Sequence, residues 1–268
     1  MVQPGKAGAN LEPAEGPMAA SLRQYQDHIA TSVPDAPITS QRRPPESLEK
    51  YLQSPGTPRA NLACSKEHPN GLHSPPANLT VLQQHCKFWD EDDDNVVWPS
   101  DTYRGFCRLG FSRLFSLYSA LVIHLALSWL SLDGWLPHPG LPIYLKNIHR
   151  GKHGSDSGVY DTEGRYVPQH FEEMFSKYSS TGWGLTLGEL WSFTQGQWNT
   201  GDVVGWFAVK GEWLLTYYIA AKDTAEGRML MKDDALGVFD GTLFYRVEAE
   251  VEAQRLRRQK RGVVKKQL

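Results

Sequence analysis

Cysteine is scarce in this chain: 3 residues in 268, at Cys64, Cys86 and Cys107. An odd and widely spaced set makes neither a disulfide framework nor a zinc pattern, which argues for a reducing compartment. The first thirty residues lack a basic start followed by an apolar run, so no secretory signal is expected. Without one, the sequon Asn78-Leu79-Thr80 reads as chance. Charge of one sign is missing too. Lysine and arginine total 28 against 30 acids, and a formal net charge of −2 names no partner, nucleic acid included. Apolar density is low over residues 1–77, which are rich in Pro, Gly, Ser, Gln and Ala. Such a segment buries little and is expected to be disordered or extended over a surface.

What is present starts near Thr80. Thr80-Val-Leu-Gln83 is a capping-box pattern, and Leu82, His85 and Phe88/Trp89 recur at helical spacing, so a helix enters the acidic stretch "FWDEDDDNVVWPSD". Beyond that stretch Ser100 can cap a second helix carrying Tyr103, Phe106 and Cys107. With 9 tryptophans the chain is also rich in a side chain that favours boundaries between apolar and wet surroundings.

A twelve-residue calcium loop needs oxygen ligands at positions 1, 3 and 5, a backbone carbonyl at 7 and a carboxylate at 12. Asp90 at position 1 places Asp92 at 3, Asp94 at 5, Asn95 at 6, Val96 at 7, Val97 at 8 and Asp101 at 12. Asn95 stands where glycine is usual, and asparagine visits the left-handed region more readily than most residues. Asp101 is one methylene shorter than the usual glutamate, which predicts lower calcium affinity and weaker discrimination against magnesium. A solvated acidic run is the alternative. Partner loops are sought at Val159–His170 and Lys222–Asp233, each with a glycine at its sixth position but no acid at its first.

Between Arg113 and Asp133 no formal charge occurs, and Pro137, Pro139 and Pro142 follow closely. Prolines at that density end a helix and bend the chain. The segment reads as a hydrophobic hairpin that dips into one leaflet and returns, with a buried core helix plus a proline loop as the alternative. The half after residue 145 reads as mostly helical. "LTLGELWSF" holds a capping box at Thr186 and Glu189, and "DVVGWFAVKGEWLLTYYIAA" is apolar all round, as a buried helix would be. The end is basic, with Arg255, Arg257, Arg258, Lys260, Arg261, Lys265 and Lys266. It suits an anionic surface or a solvated helix end equally.

These readings give a mainly α fold: an EF-hand-like helical domain, a hydrophobic proline-knot hairpin and a helical C-terminal half. The expected divisions are 1–77 disordered or extended, 78–112 calcium-binding, 113–145 anchor, 146–245 helical with degenerate loops, and 246–268 charged tail. His149 and His153 have the H-x-x-x-H spacing of a helical metal site, but Gly151 and Gly154 oppose a helix there and no third ligand is evident.

The motifs "VLQQHCKFWD", "YRGFCRLGF", "LPHPGLPIYLKNIHRGKHGSDSGVYDTEGRYVP", "FEEMFSKYS", "LTLGELWSFTQG", "GWFAVKGEWLLTYY" and "FDGTLF", in that order, resemble the caleosins, and a fungal-type member in particular. These are calcium-binding haem proteins of lipid droplets, also called peroxygenases. The resemblance runs from about Ala36 to Phe244. It implies an enzyme that takes oxygen from a fatty-acid hydroperoxide and delivers it to an unsaturated lipid as an epoxide, or to another acceptor as a hydroxyl. Its cofactors would be haem and Ca2+, its partners lipid hydroperoxides and unsaturated fatty acids. Its place would be the cytosolic face of lipid droplets and the endoplasmic reticulum membrane. A calcium-binding structural protein of lipid droplets, without catalysis, is the competing expectation.

The two histidines on which the family's haem depends fall on His85 and His153; His149 also matches a family position, with a less certain role. Peroxygenase chemistry needs one open iron position. Either a ligand is displaced by substrate, or one histidine is proximal and the other a distal acid–base group. We expect the second, and the sequence offers no basis for choosing which is which. The chain departs from the family at Asn95, at Asp101, at Val238 where a cysteine is usual, and at His124 where an asparagine is usual. His124 is expected to be a buried polar group in need of a hydrogen bond.

Overall fold

The computed structural model describes residues 48–50, 56–59 and 79–267, all within one compact unit, Ser40–Leu268. Most of the expected disordered segment 1–77, and Cys64 with it, lies outside the described residues. Within it, Arg59 makes a two-way backbone bridge to Tyr166, at 2.7 and 2.9 Å.

Helices dominate, as the sequence predicts. Helix α1 (Val81–Lys87) starts on the predicted capping box: Thr80 Oγ1 accepts from the Gln83 N–H, and the Gln83 side chain accepts from the Thr80 N–H. The acidic loop follows and ends in a short strand, β1 (Val96–Val97). Helix α2 (Pro99–Arg108) begins one residue before the predicted cap, with Pro99 in its first turn. Proline is pre-set for that position because its missing N–H would be unpaired there anyway, so Ser100 is already inside the helix. Helix α3 (Arg113–Ser131) is capped by Ser112, and the proline loop returns as β2 (Ile143–Tyr144) and a 3-10 helix, Leu145–Gly151. The second half holds α4 (Pro168–Tyr178), β3 (Gly184–Thr186), α5 (Leu187–Gly196), α6 (Val203–Ala220), β4 (Lys222–Thr224), β5 (Gly227–Met231), α7 (Lys232–Asp240) and α8 (Thr242–Gln267). The predicted Thr186–Glu189 capping box is in place at the start of α5. Residues 246–267 simply continue α8, whose Arg255 donates to the Cys107 carbonyl at 2.8 Å.

The register of the short strands shows how the chain is organised. β1 and β2 pair antiparallel with Val97 opposite Ile143, and β3 and β5 pair antiparallel with Leu185 opposite Leu230. Each of these four residues lies in a loop between two helices, and four positions further on stand Asp101, Asn147, Glu189 and Asp234. Two of those acids do the same work: Asp101 accepts the Trp98 N–H at 2.7 Å and Glu189 the Thr186 N–H at 2.8 Å. The chain is thus two pairs of helix–loop–helix units. The partner of the acidic loop is the return of the proline loop, not Val159–His170. In that segment Asp161 accepts the N–H groups of Glu163 and Arg165, closing a tight turn ahead of α4. Lys222–Asp233 is a loop as expected, paired with the one between α4 and α5.

Helix α3 is polar where it meets protein and apolar where it does not. Ser116, Ser119, His124, Ser128 and Ser131 are buried, while Leu114, Leu117, Tyr118, Leu121, Leu125 and Trp129 are exposed. The buried set lies on one face by helical spacing. His124 finds the predicted bonds: Nδ1 donates to the Leu141 carbonyl at 2.6 Å and Nε2 accepts from the Thr102 hydroxyl at 2.8 Å. It ties the proline loop to α2 and has no ring nitrogen left over. Asn147 and Arg150 hold the end of α3 through the Ser131 and Leu132 carbonyls. By length and composition α3 could cross a membrane, the one such helix among the described residues. It is packed along one side on α2 and the 3-10 helix, which fits a helix lying in a surface with Trp135 fully exposed at the loop tip.

Helix α6 corrects the sequence reading. It is not buried all round: Val203, Val204, Phe207, Leu214 and Tyr218 are exposed, and only the opposite face, with Val209 and Trp213, enters the core. Its apolar side continues that of α3, because Phe111 stacks on Phe115 at 4.9 Å and also meets Tyr218 at 6.0 Å.

Candidate functional site

The acidic loop brings three of the predicted metal ligands together. One carboxylate oxygen from each of Asp90, Asp92 and Asp94 lies within 4.8 Å of the others. Asp90 is buried and organises the loop by accepting the N–H groups of Asp94 and Asn95, each at 3.1 Å. Asn95 has φ 63°, the left-handed conformation that its side chain tolerates. The Lys87 ammonium lies 2.6 Å from Asp90 Oδ2 and is bonded also to Asp93 and Asn95. Val96 enters β1 at the seventh position. Asp101 stands outside the cluster, its carboxylate shared between the Trp98 N–H, Ser100 and Arg104. The donor set, three carboxylates on alternate residues with a lysine cation paired to the first of them, fits a hard divalent ion.

His85 sits on α1, one turn before that loop. Its Nδ1 lies 2.6 Å from the Val238 carbonyl, and its ring meets the edge of Phe244 at 5.1 Å. A carbonyl only accepts, so Nδ1 carries the proton and Nε2 holds a free lone pair. His153 follows the 3-10 helix. Its Nδ1 bonds Asp202 Oδ2 at 2.9 Å, again leaving Nε2 free. Among the described residues neither Nε2 has a hydrogen-bond partner. An imidazole fixed through Nδ1 and open at Nε2 is how proteins present a metal ligand, so both rings fit haem iron. His149 lies half-buried inside the 3-10 helix, which ends at Gly151, so His149 and His153 do not share a helical face.

A chain of ionisable groups connects the surroundings of the two rings. His85, Cys86 and Tyr160 are half-buried and Glu212 is open by surface area, yet burial dominates the titration of all four. Burial pulls His85 down, opposed by its bond to Val238, and pushes the Cys86 thiol up to about 12, with Asp90 adding to the shift. Burial also raises Tyr160, helped by the charges of Cys86, Asp240 and Glu212. Glu212 is raised by burial, with His153 opposing and Asp156 adding. The electrostatic neighbours therefore run from Cys86 through Tyr160 and Glu212 to His153. Burial pushes Asp202 up as well, but bonds from Ser155, Gly205 and His153 outweigh it and hold the carboxyl below its usual range. Helices α3 and α6 flank the region. Phe111, just ahead of α3, meets Tyr218 of α6 at 6.0 Å, and towards the other end of α3 a Cβ on Gly151 would touch Leu127 at 3.1 Å.

Comparison with known proteins decides the family. The profile described as Caleosin related protein matches residues 77–248. The chain belongs to the caleosin family. A relative named "Peroxygenase" from Lilium longiflorum is 42% identical over 83% of this chain and 92% of its own length. "Probable peroxygenase 4" of Arabidopsis thaliana is 37% identical over 67% of the chain and 91% of its own length. A "Probable inactive peroxygenase-like protein" of the same plant is 31% identical over 54% and 68%. No solved structure matches. In this caleosin, Tyr160, Asp202, Gly205 and Glu212 join the predicted residues. Two of them left a signal in the sequence: Asp202 precedes an apolar helical run as an N-cap does, and Gly205 stands inside that helix at a cost of about 1 kcal/mol relative to alanine.

Glu212 gives a pH test. Its folded pKa is raised, so its contribution to stability is complete below its unfolded value and is lost as pH rises through the folded one. Glu212→Gln should match the wild type in melting temperature near pH 4.5, the ordinary value of the group, and exceed it at neutral pH. A gap that stays constant across the two conditions would show that the carboxylate is not desolvated.

Proposed function

We propose that the chain is a haem peroxygenase working at a lipid surface. It takes one oxygen atom from a fatty-acid hydroperoxide, which leaves as the alcohol. It passes that atom to an unsaturated lipid as an epoxide, or to another acceptor as a hydroxyl. The observation that carries this reading is the pair of imidazoles, each held through Nδ1 and open at Nε2, on a fold whose helices α3 and α6 turn apolar side chains outward. Haem, which one of His85 and His153 would hold there, would supply the iron chemistry that breaks an O–O bond. One imidazole holds the iron through Nε2. The other takes the proton of the hydroperoxide at its own Nε2 and returns it to the alcohol oxygen. The apolar faces of α3 and α6 keep the protein in the phase that contains its substrates, on the cytosolic face of lipid droplets and the endoplasmic reticulum.

Calcium enters through position. Asp90, Asp92, Asp94 and the Val96 carbonyl would hold the ion, joined by Asp101 once it leaves its bonds to Trp98, Ser100 and Arg104, and the loop follows directly on the helix that carries His85. Calcium thus sets the helix and, with it, the position of His85. The competing reading, a calcium-binding coat protein without catalysis, draws on the relative named as inactive. A hydroperoxide labelled in both oxygens, given to the protein with an unsaturated fatty acid, separates the two. Label in the epoxide, reduced by a calcium chelator, is the expected result. A product with unlabelled oxygen, or no product at all, refutes the peroxygenase reading.

A further inference from the structure

We propose that Asp202 is the positioning residue that makes His153 the iron-holding imidazole and leaves His85 the proton-handling one. The assignment rests on the haem reading above. Asp202 is the N-cap of α6. Its Oδ1 accepts the Gly205 N–H at 2.9 Å, and its Oδ2 accepts the Ser155 N–H at 2.8 Å and His153 Nδ1–H at 2.9 Å. The Ser155 hydroxyl donates to the Asp202 carbonyl at 3.3 Å and accepts the Asn199 N–H at 3.1 Å. The carboxylate is therefore fixed from both sides and cannot turn with the ring.

Gly205 supplies the second half of the clamp. A Cβ at this position would lie 2.3 Å from His153 Nδ1 and 2.3 Å from Asp202 Oδ2, so only glycine lets the imidazole lie against the helix. Two features of one helical turn serve one ring. Their chemistry differs from that at His85. A carboxylate accepting the Nδ1 proton draws it away and makes Nε2 a stronger donor to a metal, whereas the Val238 carbonyl orients His85 without adding charge. His85 also rides on the helix entering the acidic loop, so calcium acts on the proton-handling side and leaves the iron-holding side in place.

The test uses the full chain loaded with haem, in wild type and in Asp202→Asn, Gly205→Ala, His85→Ala and His153→Ala. Asparagine caps helices as well as aspartate does, so Asp202→Asn spares the fold, and circular dichroism checks it. The readouts are haem affinity, the iron–histidine stretching band of the ferrous protein and the ferric/ferrous midpoint potential. Asp202→Asn and Gly205→Ala should each lower haem affinity about 10- to 100-fold. Asp202→Asn should also move the stretching band down and the midpoint up. His85→Ala should keep the wild-type band and His153→Ala should lose it. A band that survives in His153→Ala, or a band and midpoint unmoved in Asp202→Asn, overturns the assignment while leaving a haem protein. A wild-type chain with no Soret band overturns the haem reading itself, and this assignment with it.

Discussion

His153→Ala is expected to strip the protein of haem, and His85→Ala to leave it loaded but idle. The first removes the imidazole that Asp202 and Gly205 hold, and affinity should fall by at least about 100-fold. The second removes a group that moves a proton, and such groups contribute about 10²–10⁴-fold to rate. Oxygen transfer should drop by that factor in His85→Ala while the Soret band persists. Neither change threatens the fold. His85 leaves one Val238 carbonyl without its donor and a gap beside Phe244, a loss of about 1–3 kcal/mol. His153 is half-buried on a loop whose Ser155 remains bonded to Asp202. Titration of haem into the apo-protein, followed by the labelled-oxygen assay, reads both quantities on the same samples. Equal loss of haem in the two variants would mean that both histidines ligate iron, and the proton-handling role of His85 would fall.

Much of this site is local and could be read from the sequence. Capping boxes need four residues, and those at Thr80–Gln83 and Thr186–Glu189 are in place. The alternate aspartates converge because a tight loop between two helices brings them together. What escaped has a common cause. A two-residue strand has no periodicity, so nothing in Ile143-Tyr144 marks it as the partner of Val96-Val97. Asp202 reaches His153 across 49 positions. The sequence shows only an N-cap.

Helices α3 and α6 were harder for a different reason. Hydrophobicity separates protein interior from water but not interior from lipid, and a helix with protein on one side and lipid on the other is apolar over most of its surface. The serines of α3 count against a membrane segment if the whole helix faces lipid. They are instead its protein-facing stripe, where hydroxyls find partners: Ser116 donates to the Ser112 carbonyl and Ser131 to that of Ser128. The same reversal explains why α6 reads as core and is half open.

Lys87→Met should tighten calcium binding, and Asp92→Asn should weaken it. In the structure the Lys87 ammonium lies 2.6 Å from Asp90 Oδ2 and 3.3 Å from Asn95 Oδ1, and also bonds Asp93. It balances the charge of the loop, so an arriving ion must displace it. Methionine keeps the length of the side chain and removes the competitor, which should lower the dissociation constant about tenfold, or about 1.4 kcal/mol. Asp92 is exposed and belongs to the three-carboxylate cluster, so Asp92→Asn removes one metal-binding charge with little effect on the metal-free fold. Its dissociation constant should rise about tenfold or more, since affinity in such loops follows the count of charged ligands. Isothermal titration with calcium measures both. If Lys87→Met binds calcium more weakly, the lysine orders the loop instead of competing for it. The same two proteins test the link to the haem site: α1 carries both Lys87 and His85, so the rate of oxygen transfer at limiting calcium should rise in the first and fall in the second, at unchanged haem occupancy. A transfer rate that ignores calcium in all three proteins would detach the loop from His85.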